Sequence, residues 1–337
     1  MYLYDRNNKE FLVYEHPGEE SFDDVGRLLM VDFPLTDYDV AALKIEVNPS
    51  LSAGFNQIDA IGITDADVLP ETGVNLATDF DLAEIKPKPL PPHINSPGSE
   101  IMPLVSSDGS TLYFDRKDHK DNIGWAINDD IWFSLADASG EWQEPENMGF
   151  PLNTIHHNFV CGISEDGKML TLANRYNLDG SSSPGISQAI WINEKWTRPF
   201  NLIIDKLHNS GLFAEYYMNP SRDVMLLSLE RWDTEGGKDI YVSFTEDKVR
   251  WSAPLNLGKD INTGGTEMGP FLAADKKTLF FSSDGLTGYG DHDIFMTKRL
   301  DDTWTNWSEP VNLGPTINSF AWDSYFSIMP KGDVGYM

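Results

Sequence analysis

From Ile94 onward the apolar residues fall in short runs separated by polar turns, and the order of runs and turns repeats. One late unit reads as four strands: Met268 to Ala273, Thr278 to Ser282, Asp293 to Thr297 and a short Pro310 to Leu313. Its first two strands are joined by a polar turn that recurs as Ser107-Asp108-Gly109, Glu165-Asp166-Gly167, Ser221-Arg222-Asp223, Ala274-Asp275-Lys276 and Pro330-Lys331-Gly332. An Asp-Gly step between apolar runs is a strong hairpin signal, because glycine accepts positive φ. A Trp-x-x-Pro pair sets the period, at Trp142, Trp196, Trp251 and Trp307, in steps of 54, 55 and 56 residues. An apolar-Asn pair recurs at Ile94-Asn95, Leu152-Asn153, Ile261-Asn262 and Ile317-Asn318, with a looser Leu207-His208-Asn209 between. A repeated four-stranded antiparallel unit of roughly 40–50 residues is the pattern of a β-propeller. One such sheet cannot bury both faces, so neighbours must stack about an axis. The predicted fold is therefore all-β, with four complete blades and a partial fifth that begins at Trp322 and ends after its second strand. The four tryptophans are expected to fill the gaps between adjacent blades.

The first 67 residues predict a separate small domain of short strands: Tyr2 to Tyr4, Glu10 to Tyr14, Arg27 to Phe33, Ala41 to Val47 and Ile58 to Ile63. Alternation in Leu43-Lys44-Ile45-Glu46-Val47 predicts one wet and one buried face. Residues 68–93 read as a semi-rigid linker, because Lys86-Pro87-Lys88-Pro89-Leu90-Pro91-Pro92 favours extended polyproline geometry over packing. The propeller then occupies 94–337. The chain opens inside one predicted strand and stops inside another, so a fragment of a longer polypeptide is expected.

Composition narrows the function classes. A net charge of −28 from 53 acidic and 25 basic residues repels nucleic acid and anionic lipid, and favours cations or basic partners. Simple solubility is the first reading of such a charge, ahead of a specific basic partner. No run of eighteen apolar residues occurs, so no membrane-spanning helix is predicted. The single cysteine, Cys161, sits in an apolar strand and reads as a packed side chain, which excludes an internal disulfide and a cysteine-based zinc site.

Two stretches resemble known families. Residues Leu43 to Asp65, with a lysine-bearing strand, a turn and Ile58-Asp59-Ala60-Ile61-Gly62-Ile63, are similar to the closing half of a galactose-binding-like (discoidin-type) β-sandwich. That resemblance implies either a carbohydrate-binding module or a spacer. Ser106 to Phe114 followed by Asp130-Ile131-Trp132, and Lys277 to Ser283 followed by Gly288 to Phe295, resemble the TolB-type repeats called PD40 or WD40-like. Unit two departs, with Ala189-Ile190 in place of Asp-Ile. Leu300 to Gly314 is similar to Bacteroidetes envelope proteins in which such a propeller precedes an OmpA-like domain. These resemblances imply a periplasmic or outer-membrane-associated protein.

Aligning the units on their hairpins exposes two polar columns. At the entrance to each innermost strand stand Glu100, Asn158, Glu215, Glu267 and Asp323. In a propeller they would ring one channel mouth, either as a site for a cation, a basic or a hydroxylated ligand, or as acceptors for backbone N–H groups. Asp130, Asp239 and Asp293 precede the third strands and read as holders of the glycine-rich loops before them. Asp284, Asp291 and Asp293 could offer oxygens to Ca²⁺, though without EF-hand spacing, and otherwise no cofactor is predicted. His156 and His157 are adjacent and point to opposite faces of a strand, which does not suit one metal. No His-Glu-x-x-His, Gly-x-Ser-x-Gly or Walker motif occurs. The sequence thus favours a non-enzymatic binding or scaffold protein of the bacterial envelope that recognises a protein, peptide or glycan. Loops Asn122 to Trp125 and Arg299 to Trp307 offer contact surfaces, or pack between blades. The alternatives are a glycoside hydrolase built on the ring carboxylates, and carbohydrate binding through the N-terminal sandwich.

Overall fold

In the computed structural model, which describes residues 1–13, 36, 39–44, 74–77, 87–125, 127–332 and 334–337, the chain divides into two units, 1–73 and 74–337. The first contains a three-stranded antiparallel sheet in the order Glu10–Leu12, Tyr2–Asp5, Val40–Lys44. Leu3 is its fully buried residue. The expected strands Arg27 to Phe33 and Ile58 to Ile63 lie outside the described residues. So does all but Leu43-Lys44 of the galactose-binding-like stretch.

The second unit is a β-propeller. Blade 1 comprises Ser99–Val105, Thr111–Lys117, Asp130–Leu135 and Glu146–Asn147, each antiparallel to the next. Blade 4 repeats this with Glu267–Leu272, Thr278–Ser283, Asp293–Lys298 and Val311–Asn312. Blade 3 has Glu215–Met218, Val224–Leu229, Asp239–Phe244 and Leu255–Asn256. Blade 2, the one whose sequence departs, has Phe159–Ile163, Met169–Tyr176 and an eleven-residue third strand, Ser182–Ile192, that pairs with both Lys195–Trp196 and Phe200–Asn201. A fifth, partial blade has two paired strands, Ser327–Ile328 and Gly335–Tyr336.

Hairpin chemistry explains the first turn of every blade. One turn residue adopts positive φ in all five: Gly109 (77°), Gly167 (68°), Arg222 (58°), Lys276 (56°) and Gly332 (74°). It is the third residue of the expected turns except in blade 3, where Arg222 N donates to Asn219 O and the turn lies one residue earlier than the Ser221-Arg222-Asp223 expected. Two blades therefore hold a long cationic side chain where glycine is the unstrained choice. The inner strands of blades 2 and 3 approach so closely that a Cβ on Gly162 would stand 2.5 Å from Met218 Cβ. Glycine there permits the Met218–Gly162 bridge that joins the two blades into one sheet.

Apolar side chains fill each gap between neighbouring blades. Trp307 lies with Leu226 and Ile240 of blade 3 and Phe281 and Phe295 of blade 4. Trp251 lies with Ile186 of blade 2 and Tyr241 of blade 3, and Trp196 lies against Ile131 of blade 1 and Leu172 of blade 2. The gap between blades 4 and 5 holds Phe280 and Ile294 against Phe326, with Ala77 in place of a tryptophan. Trp142 closes the circuit: it packs with Leu112 and Trp132 of blade 1 and meets Tyr336 of blade 5 edge-on, centroids 6.3 Å apart. Each such aliphatic or aromatic side chain contributes about 1.5–3 kcal/mol by leaving water. The five inner strands converge on a central cavity of about 30 Å³, lined by Met102, Cys161, Tyr217, Pro270 and Phe326 among others, one from each blade.

The stretch read as linker contributes to this unit. Leu76 bridges Asn312 in parallel, Asn75 O accepts from Asn312 N at 2.6 Å, and Ala77 N donates to Asn312 O at 2.9 Å. Residues 74–77 therefore extend the outer edge of blade 4. Further on, Leu90 packs against the core between blades 5 and 1.

Candidate functional site

One end of the ring is defined by the entrances to the inner strands. There the loop between the second and third strands of one blade bonds to the segment entering the next: Asn158 N donates to Asp129 O (2.8 Å), Glu267 N to Lys238 O (2.8 Å) and Asp323 N to His292 O (2.9 Å). The hairpin turns lie at the opposite end.

Four of the five entrance residues close the loop that precedes them. Glu100 accepts from Ser96 N (3.1 Å) and Ser96 Oγ (2.5 Å), and Asn158 Oδ1 from Thr154 N (3.2 Å) and Thr154 Oγ1 (3.0 Å). Glu267 accepts from Thr263 N (2.9 Å), Thr263 Oγ1 (2.6 Å) and Ser283 Oγ (2.7 Å), and Asp323 from Ser319 N (2.5 Å) and Ser319 Oγ (3.2 Å). Glu100 also pairs with the buried Arg116 at 2.8 Å. Burial pushes the Glu267 carboxyl up from its ordinary range, against the Thr263 and Ser283 donors. The serine or threonine partner, four residues upstream and directly after the conserved-spacing asparagine, was a signal present in the sequence.

Glu215 differs. The segment from Asn209 to Glu215 is one residue longer than its counterparts, and no serine or threonine stands four residues upstream. Its carboxylate turns instead to Lys238 Nζ (2.8 Å) and to the backbone N–H of Gly269 in blade 4 (2.8 Å). The structure thus sets the five residues around one end, each already engaged.

The third-strand aspartates organise a second network. Asn256 Nδ2 donates to Asp239 Oδ2 (2.7 Å), Asn256 Oδ1 accepts from Gly258 N and Asn262 Nδ2 (both 2.8 Å), and Asn262 Oδ1 accepts from Ile240 N (2.8 Å). The same chain of bonds links Asp130, Asn147 and Asn153 in blade 1 and Asp293, Asn312 and Asn318 in blade 4. Each aspartate also accepts loop N–H groups, from Ile123, Glu235 and Tyr289. Burial raises the Asp130 and Asp239 pKa values, opposed by the asparagine donors. The asparagine two residues before Gly149, Gly258 and Gly314 carried this signal in the sequence.

The residues considered for Ca²⁺ face different partners. Asp284 Oδ1 accepts from Thr266 N (2.6 Å), whereas Asp293 accepts from Asn312 and the Tyr289 and Gly290 N–H groups. Among the described residues, no group of three His, Cys, Asp or Glu side chains could hold a metal ion. His157 Nδ1 lies 2.5 Å from Asp129 Oδ2, and the adjacent His156 does not share that contact.

One buried group escaped sequence reasoning. In blades 3 and 4, Ser228 and Ser282 donate across the gap to the carbonyls of Glu267 (2.7 Å) and Asp323 (2.8 Å). Blade 1 has Asp115 at that register, fully buried, accepting from Val160 N at 3.1 Å while its Oδ2 has no partner. Burial pushes this carboxyl well above its ordinary range.

Aromatic side chains complete this end. Among the described residues, every aromatic more than half exposed lies on its loops: Trp125, Phe150, Phe213, Trp232, Phe320 and Trp322.

By sequence, no family model and no curated protein matches the chain. Solved structures that resemble it include TolB from Acinetobacter baumannii, at 14% identity and TM-score 0.43, covering 71% of this chain and 48% of that one. They also include an α-L-arabinofuranosidase from Lactobacillus brevis, at 14% identity and TM-score 0.44, covering 73% of this chain and 83% of that one. A GH43_12 protein from a capybara gut metagenome gives 14% identity, TM-score 0.43, and coverage of 76% and 50%. The chain thus spans about half the length of the Acinetobacter TolB it resembles. At these levels the likeness says nothing of activity, and the propeller rests on the strand geometry above. No helix among the described residues is long and apolar enough to cross a membrane.

Proposed function

We propose that this chain is a non-enzymatic binding or scaffold protein of the bacterial cell envelope, whose inner-strand end recognises a protein, peptide or glycan. On this reading its blades are PD40/TolB-type repeats, and residues 1–67 form a partial galactose-binding-like sandwich. The observation that carries the reading is the gathering on that one end of all six aromatics that are more than half exposed among the described residues. Aromatic residues supply large contact area at low entropic cost and are enriched where proteins bind. The entrance carboxylates support the same reading, because they are occupied by loop N–H groups, hydroxyls or cations. A glycoside hydrolase needs two carboxyl groups facing one cleft, about 5–9 Å apart.

The test is co-sedimentation with isolated bacterial envelopes. The wild type is retained, and the combined Trp125→Ala, Trp232→Ala, Trp322→Ala variant, melting at the wild-type temperature, is released. Equal retention of that variant would overturn the reading. Reducing ends liberated from polysaccharide, and lost in Glu215→Gln, would restore the hydrolase.

A further inference from the structure

We infer that Trp322 and the acidic loop beside it form a stacking subsite for a neutral pyranose unit of a saccharide chain. The inference rests on the inner-strand end being the recognition face, and names what that face takes.

Trp322 differs from an incidentally exposed side chain because its ring is held in place from behind. It stacks on His292 with centroids 4.2 Å apart and planes 8° apart, yet remains 56% exposed, so one indole face is backed and the other is open. The backbone is fixed too: Trp322 bridges His292 in parallel, and the next residue, Asp323, donates its N–H to His292 O and closes the loop through Ser319. Such a platform loses little freedom when a ligand lands on it. His292 is itself 6% exposed, with neither ring nitrogen hydrogen-bonded, so stacking rather than polar bonding orients it.

An acceptor stands beside His292. Asp284 gives Oδ1 to Thr266 N, while its Oδ2 lies 3.8 Å from His292 Nε2, too far for a hydrogen bond. A pyranose offers a flat face of C–H groups rimmed by hydroxyl donors. The C–H face fits an open indole, and the hydroxyls fit Asp284 Oδ2, the oxygen that Thr266 N does not hold.

Charge selects among saccharides and against basic peptides. A chain of net charge −28 disfavours anionic polymers. At this end four carboxylates carry cations of the same chain: Glu100 with Arg116 (2.8 Å), Glu215 with Lys238 (2.8 Å), Asp233 with Arg231 (3.0 Å) and Glu235 with Lys259 (3.3 Å). Those four acids exert less pull on an incoming cation, and a neutral hydroxylated ligand is the class that matches an open indole face with a carboxylate oxygen nearby.

Affinity electrophoresis of the full chain tests this, in gels containing laminarin, galactomannan, arabinan, polygalacturonate or poly-L-lysine. At least one neutral polysaccharide retards the wild type, and polygalacturonate does not. Trp322→Ala weakens that retardation roughly tenfold or more, the scale of a central aromatic contact. Trp322→Phe retains most of it, and Asp284→Asn weakens it severalfold. All three variants change exposed or half-exposed side chains, and matching melting temperatures confirm their fold. Absence of retardation by every neutral polymer, or unaltered retardation of Trp322→Ala, overturns the inference. Retardation by poly-L-lysine alone that depends on Trp322 overturns the saccharide assignment but keeps the recognition face. Retardation by no polymer that depends on Trp322 removes both.

Discussion

Replacing Asn262 by alanine isolates the bond network that ties one blade to the next. Asn262 is 2% exposed and makes three bonds through its amide: it accepts from Ile240 N (2.8 Å), and donates to Ile240 O (3.0 Å) and Asn256 Oδ1 (2.8 Å). The alanine variant does not orphan all three partners. Asn256 Oδ1 keeps Gly258 N, and Ile240 O keeps Leu257 N at 3.1 Å. The Ile240 N–H alone is left buried without an acceptor, which costs about 1–3 kcal/mol. The small cavity left by the amide adds to this, so a loss of about 2–4 kcal/mol is expected. The control is Asn209→Ala in the irregular link between blades 2 and 3. There Glu230 N donates to Asn209 Oδ1 at 2.9 Å in a half-buried setting. Water can replace that bond, and the expected cost is about 1 kcal/mol or less. Urea unfolding followed by tryptophan fluorescence measures both. Equal losses in the two variants, or a loss under about 0.5 kcal/mol for Asn262→Ala, would refute the reasoning.

Two further outcomes follow from buried titrating groups. Asp115 has a folded pKa raised above its unfolded value, because burial disfavours its charged form. The folded protein therefore binds that proton more tightly, and its stability falls as pH rises from the unfolded value of 3.8 through the folded one. Asp115→Asn removes this dependence, so its stability relative to wild type improves as pH rises over that window in urea-unfolding series; a parallel pair of pH profiles would contradict it. Burial also pushes the Cys161 thiol well above its ordinary range. Its reaction with a disulfide reagent is then expected only on unfolding, at the rate of global opening, and rapid native-state reaction would contradict it.

The repeating unit was legible because hairpin turns and strand alternation are local properties, written within a few residues of where they act. Even so, Arg222 and Lys276 occupy positive-φ turn positions that glycine marks in other blades, and only the shared alignment reveals them as turns. Closure of the ring was not legible. Tyr336 meets Trp142 across nearly the whole length of the propeller, and no local pattern encodes so distant a contact. Pairing of Asn75 to Ala77 on blade 4 is hidden for the same reason, behind a proline-rich stretch that follows it. At the candidate site, residue type indicated a polar column but not its occupancy. One extra residue before Glu215 is enough to turn that carboxylate from its own loop to Lys238 and Gly269. Asp115 was invisible because the register that equates it with Ser228 and Ser282 emerges only once the strands are paired.

The gathering of the aromatic loops on one face depends on five blades sharing an axis, with the last seated against the first. A double-mutant cycle on Trp142→Ala and Tyr336→Ala measures that seating directly, since the two rings meet edge-on at 6.3 Å and interplanar 63°. A closed ring predicts a coupling of about 0.5–1.5 kcal/mol between the two substitutions in urea unfolding. Additivity to within about 0.3 kcal/mol would mean that the two side chains do not meet, and would contradict the closed five-bladed ring.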